Sequence, residues 1–168
     1  LISLLSLIFI GYFLFAGKSS PDSSGNTAGS IKSIAVLPFR NLTDSASNYY
    51  LVDGITENIL TNLSKIHDLR VLSRLSTQQY RETIIPAKEI ARKLNVNYIV
   101  EGSIQKYGNM INLWVNLTDA SKDKQIWSNS YKQEIISTSD IFGIQSQIAQ
   151  EIASELKANI TPEEKSLI

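Results

Sequence analysis

Residues 98–118 read YIVEGSIQKYGNMINLWVNLT, two β-prone runs on either side of a polar turn. In the second run Ile111, Leu113, Val115 and Leu117 alternate with Asn112, Trp114 and Asn116, the period of a strand with one face in a core. Tyr107-Gly108-Asn109-Met110 supplies the turn, so the spacing predicts an antiparallel hairpin of strands at 98–106 and 111–118. Lys122-Asp123-Lys124 makes a further polar turn. Beyond it, Ile126, Trp127 and Tyr131 within Gln125–Glu134 predict a third antiparallel strand. A meander with one apolar face needs helices to cover it.

Those helices flank the meander in sequence. Upstream, IAVLPF at 34–39 is short, apolar and branched, which favours a buried strand, with Pro38 at its end where no ladder donor is needed. Within Tyr50–Lys65, Leu51, Ile55, Ile59 and Leu63 recur at every fourth position, joined by Val52 and Leu60, as on one stripe of a helix. LRVLS at 69–73 predicts a second strand. Pro86–Asn95 predicts a short amphipathic helix with Ala87, Ile90, Ala91 and Leu94 on one side. Downstream, Ile141–Ala158 carries Ile144, Ile148, Ile152 and Leu156 at helical spacing, with Ala149 and Ala153 as close-packing partners. The fold class expected is α/β (α+β): a mixed sheet of about five strands with about three packed helices, preceded by one transmembrane or signal helix.

The preceding helix is the reading of residues 1–17, LISLLSLIFIGYFLFAG, which carry no charge before Lys18. Such a run lies at the lower limit for crossing about 30 Å of hydrocarbon at about 1.5 Å per residue. A transmembrane anchor is the leading reading; the apolar core of a signal peptide cleaved near Ala16 or Gly17 is the competing one, and a buried soluble helix is the remaining alternative. Residues 18–30, KSSPDSSGNTAGS, lack large apolar side chains and read as a flexible linker. The globular domain then runs over 31–160, with a tail at 161–168.

Composition excludes several function classes. Sixteen basic and sixteen acidic residues cancel, so no summed positive field favours direct nucleic-acid contact. With no cysteine, disulfides, thiolate catalysis and cysteine zinc sites are excluded, and a lipoprotein is disfavoured because no cysteine is available for acylation. No GxSxG, Walker A or GxGxxG spacing occurs. His67 is the sole histidine and reads as a surface residue beside Asp68. Asp53-Gly54-Ile55-Thr56-Glu57 is the most motif-like acidic cluster, since Asp53 and Glu57 share a helix face. A hard cation needs more oxygens than these two residues supply, so first-turn carboxylates complementing the helix dipole, with Asp53 as a cap, is the stronger reading. Gly102 between Glu101 and Ser103 marks a bulge or a close backbone approach. Trp114, Trp127 and Tyr131 are candidates for a ligand groove, although aromatics on strands are more often core or cross-strand pairs. Asn41, Asn62, Asn116 and Asn159 each begin an N-x-S/T triplet, but Asn62 and Asn116 fall within a predicted helix and strand.

A long ordered series of segments carries a family resemblance: SIAVLPFRNLTD at 33–44, YYLVDGITENIL at 49–60, LRVLSRLSTQQYR at 69–81, KEIARKLNVNYIVEGSIQKYGNMINLWVNLTDA at 88–120, QIWSNSYKQEI at 125–135 and DIFGIQSQIAQEIASEL at 140–156. Over Ile31 to Ala158 the chain resembles the TolB N-terminal-like, FlgO-related domain of membrane-bound bacterial regulators and adenylate cyclases. The resemblance implies a fold and a context: an extracytoplasmic module after a membrane helix and before tetratricopeptide repeats, on a single-pass protein of the bacterial inner membrane. The expectation is a non-enzymatic protein-interaction or sensory module with no cofactor and no metal. Its partners would be proteins, tetratricopeptide repeats among them, and the membrane through residues 1–17. Its candidate interaction surface comprises Asp53, Glu57, Trp114, Trp127 and Tyr131. The alternative is a periplasmic small-molecule-binding receptor domain.

Overall fold

The computed structural model describes residues 31–43 and 48–168; the anchor read at 1–17 and the linker at 18–30 lie outside the described residues. No helix among the described residues is long and apolar enough to cross a membrane. Ile31–Ile168 forms a compact unit.

The unit is built around β1 (Lys32–Val36). Ile34, Ala35, Val36 and Leu37 are each at most 6% exposed, so this strand has no solvent face and must be covered on both sides. It lies between β3 (Leu69–Val71) and β4 (Tyr98–Tyr107), parallel to both. β5 (Met110–Asp119) and β6 (Lys124–Glu134) extend the sheet as an antiparallel meander, giving the order β3-β1-β4-β5-β6. At the hairpin between β4 and β5, Tyr107 pairs with Met110, and Gly108 takes φ +54°, a conformation glycine adopts without steric cost.

One face is covered by α1 (Tyr49–Ser64) and α4 (Thr138–Glu155). Ile55, Ile59 and Leu63 of α1 and Ile148 and Ile152 of α4 join Ile34, Val36, Val100, Leu113 and Val115 in the main core. α4 begins three residues earlier than its apolar period does, because Ser137 and Asp140 form a capping box. The opposite face is covered only in part. α3 (Ala87–Leu94), entered through Pro86 and ended by Asn95 in the left-handed conformation, packs Ile90 and Ala91 on Ala35, Leu37 and Ile99. No described element covers the rest of that face, on β5 and β6, which carries Asn112, Trp114, Asn116, Ser128, Ser130 and Lys132.

Among the described residues the sheet has six strands and there are five α-helices, more of each than the apolar periods indicate. The additions are short: β2 (Arg40–Asn41), α2 (Arg74–Thr77) with a 3-10 turn at Gln78–Tyr80, and α5 (Pro162–Leu167). β2 resumes the parallel pairing of β1 along the same side of β4 after a break at Pro38, which has no N–H to give. Phe39 turns into the core at that break, and a Cβ on Gly102 would lie 2.7 Å from its ring and 2.6 Å from the carbonyl oxygen of Trp114. Gly102 is therefore a close backbone approach. In α5, Thr161 and Glu164 form a second capping box, and Glu164 also accepts the His67 N–H at 2.7 Å, tying the 161–168 segment to the end of α1.

The turn between β5 and β6 is organised by Asp119, a buried carboxylate that accepts from the Ser121 N–H at 3.0 Å, the Ser121 hydroxyl at 2.6 Å and the Lys122 ammonium at 2.8 Å. Burial pushes this carboxyl up, but the hydrogen bonds from Lys122 and Ser121 together hold it below its ordinary value of 3.8.

Gly102→Ala must displace backbone or the Phe39 ring, and we expect a loss of about 1–3 kcal/mol in urea denaturation. Because the folded-state pKa of Asp119 is depressed, its stabilisation is present above the unfolded value and is lost as pH falls through the folded one. Acid titrations of stability should therefore show a shallower loss below pH 3.8 for Asp119→Asn than for the parent chain.

Candidate functional site

After β1 the chain passes to α1 on one face of the sheet; after β3 it passes to α2 and α3, and the residues that follow pack on the other. Connections that leave adjacent parallel strands toward opposite faces open a crevice beyond the strands' carboxyl ends, the usual place for a site in such sheets.

Four charged side chains fill that crevice. Asp53 and Glu57 project from α1, Arg74 from α2 and Arg81 from just after the 3-10 turn. Asp53 is held from both sides, with Oδ2 at 2.9 Å from Nη2 of Arg74 and Oδ1 at 2.7 Å from Nη2 of Arg81. Arg74 also reaches Glu57, Nη1 to Oε2, at 3.3 Å. At the rim the Tyr49 hydroxyl donates to Glu82 at 3.3 Å. The sequence pattern puts Asp53 and Glu57 on one helix face, and the structure joins them through a single guanidinium. The capping role expected for Asp53 is corrected: α1 starts at Tyr49 behind Asn48, has no acidic residue in its first turn, and leaves Asp53 further along the helix. Arg74 and Arg81 were not legible as site residues, because the only sign of them is a pair of arginines bracketing a polar run without an apolar period.

The arrangement binds charge to charge. Both oxygens of Asp53 and Oε2 of Glu57 are engaged by guanidinium groups, and among the described residues no group of three or more His, Asp or Glu side chains is placed to hold a metal ion. Next to this network, on the partly open face, lies a polar cleft of about 180 Å³ bordered by Leu37, Arg40, Tyr80, Glu82, Glu101 and Ser103.

The three aromatic candidates do not meet in one groove. Trp114 pairs with Ser130 on the open face and is 37% exposed. Trp127 and Tyr131 pair with Leu117 and Leu113 on the opposite face, half-buried against the main core. Tyr131 donates its hydroxyl to Glu151 of α4 at 2.7 Å, and burial together with that carboxylate pushes its phenol well above the usual range. His67 is exposed.

The family model described as HilA/YgeH-like transcriptional regulator, second domain, matches residues 30–151. The chain belongs to this family. A putative adenylate cyclase 3 of Rhizobium meliloti (strain 1021) is 33% identical over 133 residues, which are 79% of this chain and 22% of that protein. The chain thus spans about a fifth (22%) of the length of that curated relative. Among solved structures, lipoprotein GNA1162 from Neisseria meningitidis has a TM-score of 0.53 at 16% identity, covering 77% of this chain and 99% of its own. TolB from Acinetobacter baumannii has a TM-score of 0.52 at 15% identity, covering 77% of this chain and 29% of its own. A PelC dodecamer from Paraburkholderia phytofirmans has a TM-score of 0.50 at 20% identity, covering 76% of this chain and 89% of its own. At these identities the likeness to the solved structures is one of fold.

The ion-pair network should be cooperative but modest, since its members are half-exposed. A double-mutant cycle of Asp53→Asn with Arg74→Met should give a coupling of about 1 kcal/mol or less, and the coupling should shrink in high salt.

Proposed function

We infer that this chain is a non-enzymatic module of a signalling or regulatory protein, and that it contacts another protein through the rim at the carboxyl ends of β1 and β3. The observation that carries this reading is the exposure of Tyr50 (88%), Leu75 (87%) and Ile84 (99%). These apolar side chains sit on α1, on α2 and in the stretch after Arg81, the segments that the Asp53, Arg74 and Arg81 pairs join. Large apolar groups presented on a framework held by ion pairs suit a protein contact, where an apolar centre is edged by charge. The same pairs argue against hydrolysis by Asp53 and Glu57, because a general base needs a lone pair free for the proton it takes.

The finer reading is an extracytoplasmic domain, TolB-like and FlgO-related, held outside a bacterial inner membrane by a single pass over residues 1–17. The apolar run and the polar linker support it. So does the fold shared with a solved lipoprotein and with TolB. A matching region that makes up 22% of the putative cyclase leaves room for an output domain elsewhere in such a protein. A binding event at the rim would then pass through the linker and the membrane segment, and tetratricopeptide repeats are among the partners that suit the reading.

A second reading, a small-molecule receptor, has one observation in its favour. A groove of about 600 Å³ between α3 and the β5–β6 turn has Ala91, Val96 and Ala120 among its lining and Lys88, Arg92 and Asp123 at its border.

The two readings separate in one experiment. A photocrosslinking amino acid at position 75 or 84 of the full-length protein, activated in living cells, should yield a discrete adduct with another protein, while the same probe at the exposed Glu155 should not. Equal or absent adducts at all three positions, together with a thermal shift of the chain by a defined metabolite, would favour the receptor.

A further inference from the structure

The two edges of the sheet are unlike. β3 is a three-residue strand, whereas β6 runs for eleven residues and pairs, among the described residues, on one side only, with β5. An unpaired edge of that length is a template for another strand unless something blunts it. The blunting features of β6 sit at its ends: Lys124 and a register irregularity opposite Leu117 and Thr118 at one end, Lys132 and Glu134 at the other. Between them Trp-Ser-Asn-Ser-Tyr at 127–131 carries no charge.

The backbone groups that face outward can be named. Just beyond the ladder the Ile135 N–H donates to the Asn109 carbonyl at 2.7 Å. Antiparallel pairing alternates, so Gln133, Tyr131, Asn129 and Trp127 turn their backbone groups toward β5, while Glu134, Lys132, Ser130 and Ser128 turn theirs outward. Ser130 agrees with this parity, since its N–H is taken at 2.8 Å by the chain's own Asn129 Oδ1.

We propose that β6 is a homodimerisation edge, on which a second copy of this chain docks its own β6 antiparallel about a two-fold axis through Asn129. The strand is self-complementary in this register. Ser128 and the partner's Ser130 exchange their outward N–H and carbonyl groups, the partner's carbonyl replacing Asn129 Oδ1 as acceptor for Ser130. Trp127 faces the partner's Tyr131, an aromatic cross-strand pair on the helix-covered side. The oppositely charged ends, Lys124 and Glu134, are brought toward one another, whereas parallel docking would set like against like. Two other registers are worse: centring on Ser128 sets Lys124 toward the partner's Lys132, and centring on Lys132 opposes two lysines. The central contact spans a few residues, so the dimer is weak in dilute solution and gains from the high local concentration of a membrane surface.

This inference rests on β6 and, for its gain at a membrane, on the anchor read at residues 1–17; it does not rest on the rim at β1 and β3, so either can fail without the other. The test uses the full 168-residue chain in detergent or vesicles, where the absence of cysteine gives a clean background. In Asn129→Cys the new thiol meets its own copy across a non-hydrogen-bonded pair, the spacing that suits a disulfide. Covalent dimer should form about tenfold or more faster than in Ser128→Cys or Gln133→Cys, which do not face themselves. Against loss of fold as an explanation, Ser128→Lys with Ser130→Lys, both at exposed positions, should abolish association at unchanged circular dichroism. Ser128→Glu with Ser130→Lys, which restores complementary pairs in this register only, should recover it. Equal crosslinking at all three cysteine positions, or association indifferent to both charge designs, would overturn the proposal.

Discussion

A strand with no solvent-facing side sets the terms for everything around it. Ile34, Ala35, Val36 and Leu37 point alternately to the two faces of the sheet and are all buried, so each face needs its own cover and each flank its own partner. The long helices α1 and α4 supply one cover with a large apolar core. α3 supplies the other with little more than Ile90 and Ala91. Because the second cover is small, it protects only the parallel part of the sheet. That asymmetry leaves the meander with a polar outer face and gives the domain one roofed end and one open end.

The same asymmetry locates the charged network. Helices that leave β1 and β3 for opposite faces separate at the carboxyl ends, and the gap between them is closed by Asp53, Arg74, Glu57 and Arg81 rather than by apolar packing. A half-exposed cluster of this kind contributes little net stability but fixes α2 against α1. It therefore helps to settle the position of side chains carried on α2, such as Leu75.

What the sequence discloses follows the length over which a physical period repeats. Strand β5 and the helices α1, α3 and α4 repeat an apolar pattern over eight or more residues, and all were legible. β2 was not, because two residues have no period; its existence depends on Pro38 interrupting β1 and on Phe39 settling over Gly102, a contact between distant segments. α2 and α5 were missed for a related reason, being too short to show a stripe and held by the Arg74 pairs and by Glu164. Asp53 and Glu57 were singled out correctly as neighbours, yet the start of α1 lies at Tyr49, so the helix-end role assigned to Asp53 could not hold. The separation of Trp114 from Trp127 and Tyr131 was in principle readable. Trp114 falls between Leu113 and Val115, out of step with the core-facing positions of its own strand.

The central place of β1 also bears on how the chain acquires its shape during synthesis. β1 is the first described element to leave the ribosome, yet Ile34 is flanked in the finished sheet by Val71 and Tyr98, both made much later. Until β4 has emerged, an oily strand stands without neighbours on one side, and loop closure over these separations is the slow step in forming such sheets. A nascent chain of this design has reason to be kept apart from its siblings until roughly the length of its parallel half has been translated.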